Sequence, residues 1–516
     1  MRLEWKPVMV SLALLLIGAV VFAGGSQEAA RSPDEPYHFT MAAGWGDRIP
    51  VAEQLNDPYF KYVEETLGTA PLHFGWEWEG ATGYIEGLRL ALAGGDTFDM
   101  IMPWDEALTA ELINAGIAIP LDDLIDQYAP EIWEWYSDAD WDVIRSLGNG
   151  KVMFLPRRPD ELDIRAGFIR KDWLAEVGMD VPTTREELVE VYRAFRDNDV
   201  NRSGSANDEI PVSGRQGLRW LDDLFVMHGV AMYEGHPQWK WNPEKGILES
   251  AQVSDSMKMA LEFLKFLIDE GLMDRVMPVQ PAGDWQQKVN AGVVGHYFHL
   301  AKWIYGYTGF YLDDEEPDET GLKYWDVMPL PPAVPGVPQQ KNIHPSMMEP
   351  VFMITRWAEQ PERIMEWARW SASEDGYLFR YLGIPEVHWR RVGGEIEVMQ
   401  ELDITPRPVH IYLYKEDDLE VVEMQTMGPL KVDLIQKLRG NTQGLDNTGM
   451  PTSVYRGFED FHPNNSRLYR EFASRAVLGE VPFSQWDAYV RNWYDRGGRV
   501  VTERATEWYK ATHGID

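Results

Sequence analysis

The sequence predicts an α/β architecture. Strand-like and helix-like segments alternate along it, the pattern of helices packed on a sheet. Its 516 residues are enough for two or three packed domains. Hydrophobic residues make up 44% and charged residues 25%, the proportions of a folded globular chain rather than a disordered one. No repeat at the roughly 20–50-residue periods of solenoids is visible.

The elements follow in order. Arg2 and Lys6 precede an apolar run from Val8 to Val21, broken only by Ser11, and Val21-Phe22-Ala23 has the small residues a signal peptidase reads. Residues 1–23 therefore read as an export signal cut before Gly24; the alternative is a membrane anchor, for which the run is short. Residues 24–36, GGSQEAARSPDEP, form a polar linker. A first strand is expected over His38–Ala42. Ala91 to Ile101 reads as a helix end, a tight Gly94-Gly95-Asp96 turn and a short buried strand. Thr184-Arg185-Glu186-Glu187 is a capping box, with Leu188, Val191, Tyr192 and Phe195 as the buried stripe of the helix it starts. Met257–Ile268 predicts a helix apolar nearly all round and deeply buried. Arg356–Trp370 predicts another, with Ile364, Met365, Trp367 and Ala368 inside. The run Pro329–Pro338 cannot be helical and reads as a stiff connector, or as a PxxP ligand for a partner domain. The acidic run 313–316 reads as a solvated loop.

Several functions are excluded. With no cysteine there is no disulfide framework, thiolate metal site or cysteine nucleophile. A formal net charge of −35 disfavours binding to nucleic acid or to anionic lipid. GxSxG, HExxH, P-loop and GxGxxG motifs are missing. The 11 histidines do not cluster at metal spacings, and His296 and His299 read as structural or pocket-lining. Acidic pairs are frequent enough to leave a glycosidase dyad open.

The strongest local motif is Asp199-Val200-Asn201-Arg202-Ser203-Gly204-Ser205. Oxygen side chains fall at alternate positions, glycine falls where a calcium loop turns sharply, and Ser205 offers its carbonyl. The alternative is a polar turn without an ion. Position 12 is Ile210 instead of the EF-hand glutamate. Trp and Tyr number 22 each, more tryptophan than packing requires. Trp133, Trp135, Trp367 and Trp370, at helical spacing, are expected to be packing residues.

Seven segments carry a resemblance. They are Ala91–Ile101, Leu112–Gly116, Ile119–Ile125, Gly150–Pro156, Ile169–Gly178, Ala291–Gly295 and Gly383–Trp389. Together they resemble the family 1 extracellular solute-binding proteins, the sugar-capturing subunits of ABC importers, and within them the subgroup of LipO-like and alginate-binding proteins. Gly94 stands where that family has serine, and Phe98 where it has proline. The resemblance implies a two-lobe, periplasmic binding protein-like fold of type II with the ligand cleft between lobes. It implies lobe one at about 37–156 plus 330–388 and lobe two at about 157–329 plus 389–516, with the proline-rich run as a crossing. It also implies that an Asp-Glu pair closes the calcium loop, here with one extra residue, which gives Asp199, Asn201, Ser203, Ser205, Asp208 and Glu209 as ligands of a structural Ca²⁺.

The resemblance further implies a ligand site at Trp45, Asp47, Trp104, Asp105, Trp303 and Trp389. Flat rings there would stack on sugar faces and carboxylates would bind hydroxyls. The expected protein catalyses nothing. It is a periplasmic monomer without a lipidation cysteine that captures a carbohydrate, an oligosaccharide in the first instance, and hands it to an ABC permease. The alternative, from another class, is a secreted glycoside hydrolase or lyase.

Overall fold

The computed structural model describes residues 35–43, 49–75, 80–103, 106–136, 138–156, 165–205, 208–300, 324–343, 350–400, most of 432–443, and 450–515. The export signal, nearly all of the linker and the acidic run lie outside them.

Two sheets organise the molecule. The first combines β1 (Tyr37–Ala42), β2 (Thr69–Phe74), β3 (Met100–Ile101) and β4 (Leu155–Pro156) with a strand from much later in the chain, β9 (Pro350–Ile354), in the order β2-β1-β3-β9-β4. β1 pairs in parallel with β2, from Tyr37 opposite Thr69 to Ala42 opposite Phe74, and in parallel with β3. β9 runs antiparallel to both β3 and β4. Along β1, Tyr37, Phe39 and Met41 are buried and alternate with partly exposed residues, as a period of two requires. Helix α1 (Pro58–Leu67) covers this sheet; Asp57 caps it by accepting from the Tyr59 amide at 2.7 Å, and Gly68 ends it in the left-handed region. Helix α6 (Pro361–Ser371) inserts Ile364, Met365, Trp367 and Ala368 into the same core.

The Asp99 turn is explained by its hydrogen bonds. The Asp99 carboxylate accepts from the Thr40 amide at 2.7 Å and the Thr40 hydroxyl at 2.8 Å, which ties the turn to β1. The Thr355 hydroxyl donates to the Phe98 carbonyl at 2.5 Å and its amide to Asp99. Gly95, at φ +97°, sits where a side chain would be strained.

The second sheet has three strands. β5 (Arg165–Arg170) lies between β6 (His296–Leu300) and β7 (Trp325–Met328), antiparallel to both. Helix α3 (Arg185–Asp197) packs on it behind the expected capping box, with Glu187 N donating to Thr184 Oγ1 at 3.2 Å and Thr184 N to Glu187 Oε2 at 3.2 Å. Leu188, Val191, Tyr192 and Phe195 are all buried. Gly295 is needed next to this helix: a Cβ there would lie 2.8 Å from the Phe195 ring and 2.9 Å from Trp173.

Four expectations change. Helix α5 (Asp255–Asp269) is longer than the predicted span and one-sided: Met257, Ala260, Leu261, Leu264 and Leu267 are buried, while Met259 is 41% exposed. Helix α6 starts at Pro361, not Arg356, because Arg356 N donates to the Ile117 carbonyl and extends the β9 connection. The proline-rich run packs on the second core instead of crossing between lobes. Ala333 exchanges backbone hydrogen bonds with Thr183 and Arg185, and Val334 and Ile343 join the second core. The chain is again part of the first sheet at Pro350. Finally, the hairpin of β10 (Trp389–Val392) and β11 (Glu395–Val398) stays with helix α7 (Glu374–Leu382) in a small cluster of its own. His388 stacks on Tyr59 of the first core at 5.6 Å.

Phe195 meets Trp173 edge-on at 5.2 Å in the second core. Phe195→Ala should lower unfolding free energy by about 3–5 kcal/mol, the cost of a large buried cavity, whereas Thr184→Ala should cost about 1 kcal/mol, the worth of a cap. Urea denaturation followed by tryptophan fluorescence measures both.

Candidate functional site

The strands decide which loops meet. β1, β2, β3 and β4 point the same way, so Ala42, Phe74, Ile101 and Pro156 end at one edge of the first sheet. The chain leaves that edge at Pro156 and enters the second sheet at Arg165. Nine residue steps span at most roughly 30 Å. The end of β5 that carries Arg165, paired with Leu300, therefore lies within that reach of the carboxyl edge of the first sheet. In open α/β sheets the crevice outside the strands' carboxyl ends is where ligands sit.

Trp45 and Asp47 follow β1 in sequence, Trp104 and Asp105 follow β3, and Trp303 follows β6; all five lie outside the described residues. Trp389 is described and is 5% exposed. Its indole N–H donates to the Gly383 carbonyl at 2.8 Å, and its ring packs with Tyr377, Leu378 and Leu382, a cluster to which no residue of either sheet edge contributes. Trp367 is fully buried, and Trp133, Trp135 and Trp370 pack against the first core.

Sequence reasoning missed a charged cluster at the Arg165 end. Arg165 is 5% exposed. Its Nη2 stands 3.7 Å from Glu234 Oε1, and its guanidinium lies over the Tyr233 ring at 4.9 Å. Glu234 is held more closely by Arg219, through Nη2 at 3.0 Å and through an Nε bond to its backbone carbonyl at 2.9 Å. Burial opposes charge on Glu234, but Arg165 and Arg219 outweigh it and hold the carboxyl at about 2. Asp222 starts helix α4 (Asp222–Val226); Oδ1 accepts from the Gly235 amide at 2.9 Å, and burial, only partly offset by Arg165, pushes the carboxyl up to about 7. Beside it, His296 Nε2 stands 2.9 Å from Asp223 Oδ2, and its Nδ1 meets the Tyr192 hydroxyl. Gly167 leaves room for this contact: a Cβ would lie 2.6 Å from Asp223 Oδ2. His299 stacks on Trp285 at 6.0 Å. Both histidines are thus packed inside the second lobe. The only sequence signal for Arg165 was an arginine opening a buried strand; its partners lie more than fifty residues downstream.

The expected calcium loop turns at Gly204, φ +82°, where the pattern needs it. Asn201 Oδ1 accepts from Ser203 N at 2.9 Å, and Asp199 Oδ2 from Gly204 N at 3.1 Å. Asn201 Nδ2 and the Ser203 hydroxyl both donate to Asp208 Oδ1 at 3.1 Å. Three carboxylate oxygens, Asp199 Oδ1 and both of Glu209, are buried with no hydrogen-bond partner. Burial first, and then the charges of Asp208 and Asp199, raise the Glu209 carboxyl. Buried, unsatisfied, mutually repelling oxygens are the donor set a hard cation satisfies, so these residues fit Ca²⁺. Among the described residues no group of three or more His, Asp or Glu stands at metal-binding separations; carbonyl, amide and hydroxyl oxygens make up the rest of this set.

The chain matches the bacterial extracellular solute-binding protein family over residues 74–377, more than half its length, and belongs to that family. It is 26% identical, over 66% of its length, to the fructooligosaccharide ABC transporter substrate-binding protein FusA of Streptococcus pneumoniae serotype 4, a match that spans 63% of FusA. It is 22% identical to the polygalacturonan/rhamnogalacturonan-binding protein YtcQ of Bacillus subtilis, over 98% of this chain and 99% of YtcQ. The fold is that of the alginate-binding protein AlgQ2, solved without calcium ion: TM-score 0.69 at 19% identity, covering 92% of this chain and 98% of AlgQ2. The expected two-lobe α/β fold is thereby established. Among the described residues no helix is long and apolar enough to cross a membrane.

A pH dependence follows from the buried histidines. Burial lowers His228 from 6.5 to about 4, and burial with Arg165 lowers His299 to about 3. Between about pH 4 and 6.5 the unfolded chain binds these two protons and the folded chain does not, so they contribute stability above 6.5 that is lost on acidification. Asp222 acts oppositely over the range from 3.8 to about 7, with one proton. Two outweigh one. The melting temperature should fall from pH 7 to pH 5, and His228→Gln should flatten that slope in differential scanning calorimetry.

Proposed function

We propose that the protein captures a carbohydrate, an oligosaccharide, between its two lobes and hands it unaltered to the membrane permease of an ABC importer. The observation that carries this is the shared edge at which Ala42, Phe74, Ile101 and Pro156 end in the first sheet; Trp45 and Asp47 follow β1 in sequence, Trp104 and Asp105 follow β3, and Trp303 follows β6. Flat rings at such an edge stack on the C–H faces of sugars, and carboxylates orient hydroxyls. The names of FusA and YtcQ, a fructooligosaccharide and a polygalacturonan binder, support the same ligand class. In this reading lobe one comprises about 37–156 and 350–398, and lobe two about 165–343 and 432–516. The protein is exported after cleavage before Gly24, carries no lipid on cysteine, and works as a periplasmic monomer. Trp389 belongs to the site only if its cluster opens.

Ca²⁺ in this reading is structural. Asp199, Asn201, Ser203, Asp208 and Glu209 would hold it with the Ser205 carbonyl. It would neutralise the carboxylates and tie the end of α3 to the approach of β6, where Gly295 N donates to the Ile210 carbonyl and Ile210 N to the Val293 carbonyl. A FusA EF-hand mutant among the structural neighbours, TM-score 0.67 at 16% identity, supports an ion there.

The split carboxyls of Asp222 and Glu234 favour a second reading, a glycoside hydrolase, since paired acids of unlike pKa do such chemistry. Against it, Glu234 is bound to two arginines and is not poised as a nucleophile.

Calorimetric titration against an oligosaccharide panel tests the proposal. Trp104→Ala and Trp303→Ala should each weaken binding at least tenfold, roughly 1.4 kcal/mol or more, with the melting temperature unchanged. Binding undiminished in both variants would remove these rings from the site, and release of reducing ends from the panel would establish the hydrolase instead.

For calcium, 100-fold excess over Kd should add about 2.7 kcal/mol of stability by mass action. Glu209→Gln should abolish that gain and leave sugar affinity intact. A melting curve indifferent to both EDTA and Ca²⁺ would contradict an ion in this loop.

A further inference from the structure

We propose that Tyr84 is a positioning residue for the sugar: its buried hydroxyl fixes the direction in which the chain leaves β3, and so holds Trp104 for stacking. This rests on the carbohydrate reading above.

Tyr84 lies in helix α2 (Gly80–Gly94), which joins β2 to β3. Tyr84 and Leu88 are 1% and 0% exposed, one turn apart on the face that meets the first core. Packing therefore holds the ring, and the hydroxyl at its tip has a separate task. It donates to the Met102 carbonyl at 2.6 Å and reaches the Ala42 carbonyl at 3.2 Å. Ala42 is the last residue of β1, and Met102 is the first past β3. The Met102 amide in turn donates to the Ala42 carbonyl at 2.8 Å. One O–H thus fastens the ends of two strands whose shared ladder is only two residue pairs long. Burial pushes the hydroxyl's pKa well above its usual 10, so it remains a donor throughout the neutral range.

The Met102 carbonyl belongs to the peptide bond with Pro103. That unit is planar, so holding the oxygen holds the plane as far as Pro103 Cα. Proline locks its own φ at about −65°, and Pro103 is itself buried. Only one soft torsion, the ψ of Pro103, then separates the held plane from the Trp104 amide. Without the hydroxyl the plane can turn, and the tryptophan that follows it gains directions that binding must take away again. A loop kept in its binding arrangement avoids that cost.

The neighbouring exits from this edge are fastened independently. Gln54 is buried, and its side-chain amide donates to the carbonyls of Ile49 at 3.0 Å and His73 at 2.9 Å and accepts from the His73 amide at 2.7 Å. The Ala43 amide donates to the Phe74 carbonyl at 3.3 Å. Removing the Tyr84 hydroxyl therefore loosens the exit of β3 and leaves the flank beside β2 in place.

The test is calorimetric titration of the full chain against gluco-, manno-, galacto- and fructo-oligosaccharides and oligogalacturonates, with the tightest binder carried forward. Tyr84→Phe keeps the ring and removes only the hydroxyl. It should weaken binding roughly fivefold or more through lost preorganisation. In a Trp104→Ala background the same substitution should cost less than about twofold, because no ring is left to hold. Tyr489→Phe is the control. It takes a buried hydroxyl from another backbone carbonyl, that of Gln252 at 3.1 Å in the second core, and should lower the melting temperature without changing affinity. If Tyr84→Phe does not fold, Pro103→Ala reports on the same path: it frees the φ of residue 103, and it too should weaken binding only while Trp104 is present. Tyr84→Phe that binds as tightly as the parent overturns the inference. So does an equal loss with and without the Trp104 ring, or a loss of the same size in Tyr489→Phe. Binding of none of these sugars by the parent protein overturns the carbohydrate reading itself.

Discussion

The insertion of Pro350–Ile354 between two short strands is the contact on which the rest depends. β3 and β4 each have two residues in register, and β4 pairs with β9 alone. Neither strand could hold its place by its own hydrogen bonds. β9 bridges them, and Thr355 fastens its end to the Phe98–Asp99 turn. The first sheet is therefore completed by a strand that follows all three strands of the second sheet in sequence. In the proposed division the chain passes from lobe one to lobe two, back to lobe one, and then to lobe two again.

Much of the frame was legible because it is local. The capping box at Thr184 and Glu187 and the stripe Leu188, Val191, Tyr192, Phe195 need only a few consecutive residues to act, and they fold as read. The Gly94–Asp99 turn was recognisable as a motif, although the reason for Asp99, two bonds to Thr40, lies fifty-nine residues away. What was misread depends on distant partners. A proline-rich run looks like a connector, but Val334 finds a core and Ala333 finds Thr183. Trp389 does stand at an element end, and the nearby Gly383 carbonyl accepts its N–H. Arg165 gave almost no signal, since its meaning comes from Arg219, Asp222 and Glu234, which local reading assigns to no motif.

The calcium loop and the charged cluster compensate buried charge in two ways. In the loop, carboxylates of one sign crowd together and a cation is the cheapest remedy. In the cluster, arginines and acids answer one another: Arg219 holds Glu234 at 3.0 Å, and Arg165 stands 3.7 Å from the same carboxylate. Both sit on the second lobe: the loop joins the end of α3 to the approach of β6, and the cluster ties the start of β5 to Arg219 and Glu234. A ligand that touches both lobes binds the closed arrangement better and shifts the population toward it. A rigid second lobe makes that shift one of whole bodies, which a permease can recognise.

Small-angle X-ray scattering with and without saturating oligosaccharide tests the central claim, that ligand draws the two sheet edges together. The account predicts a smaller radius of gyration with ligand, at a sugar concentration shown by calorimetry to fill the site. An unchanged scattering profile at that saturation would contradict it.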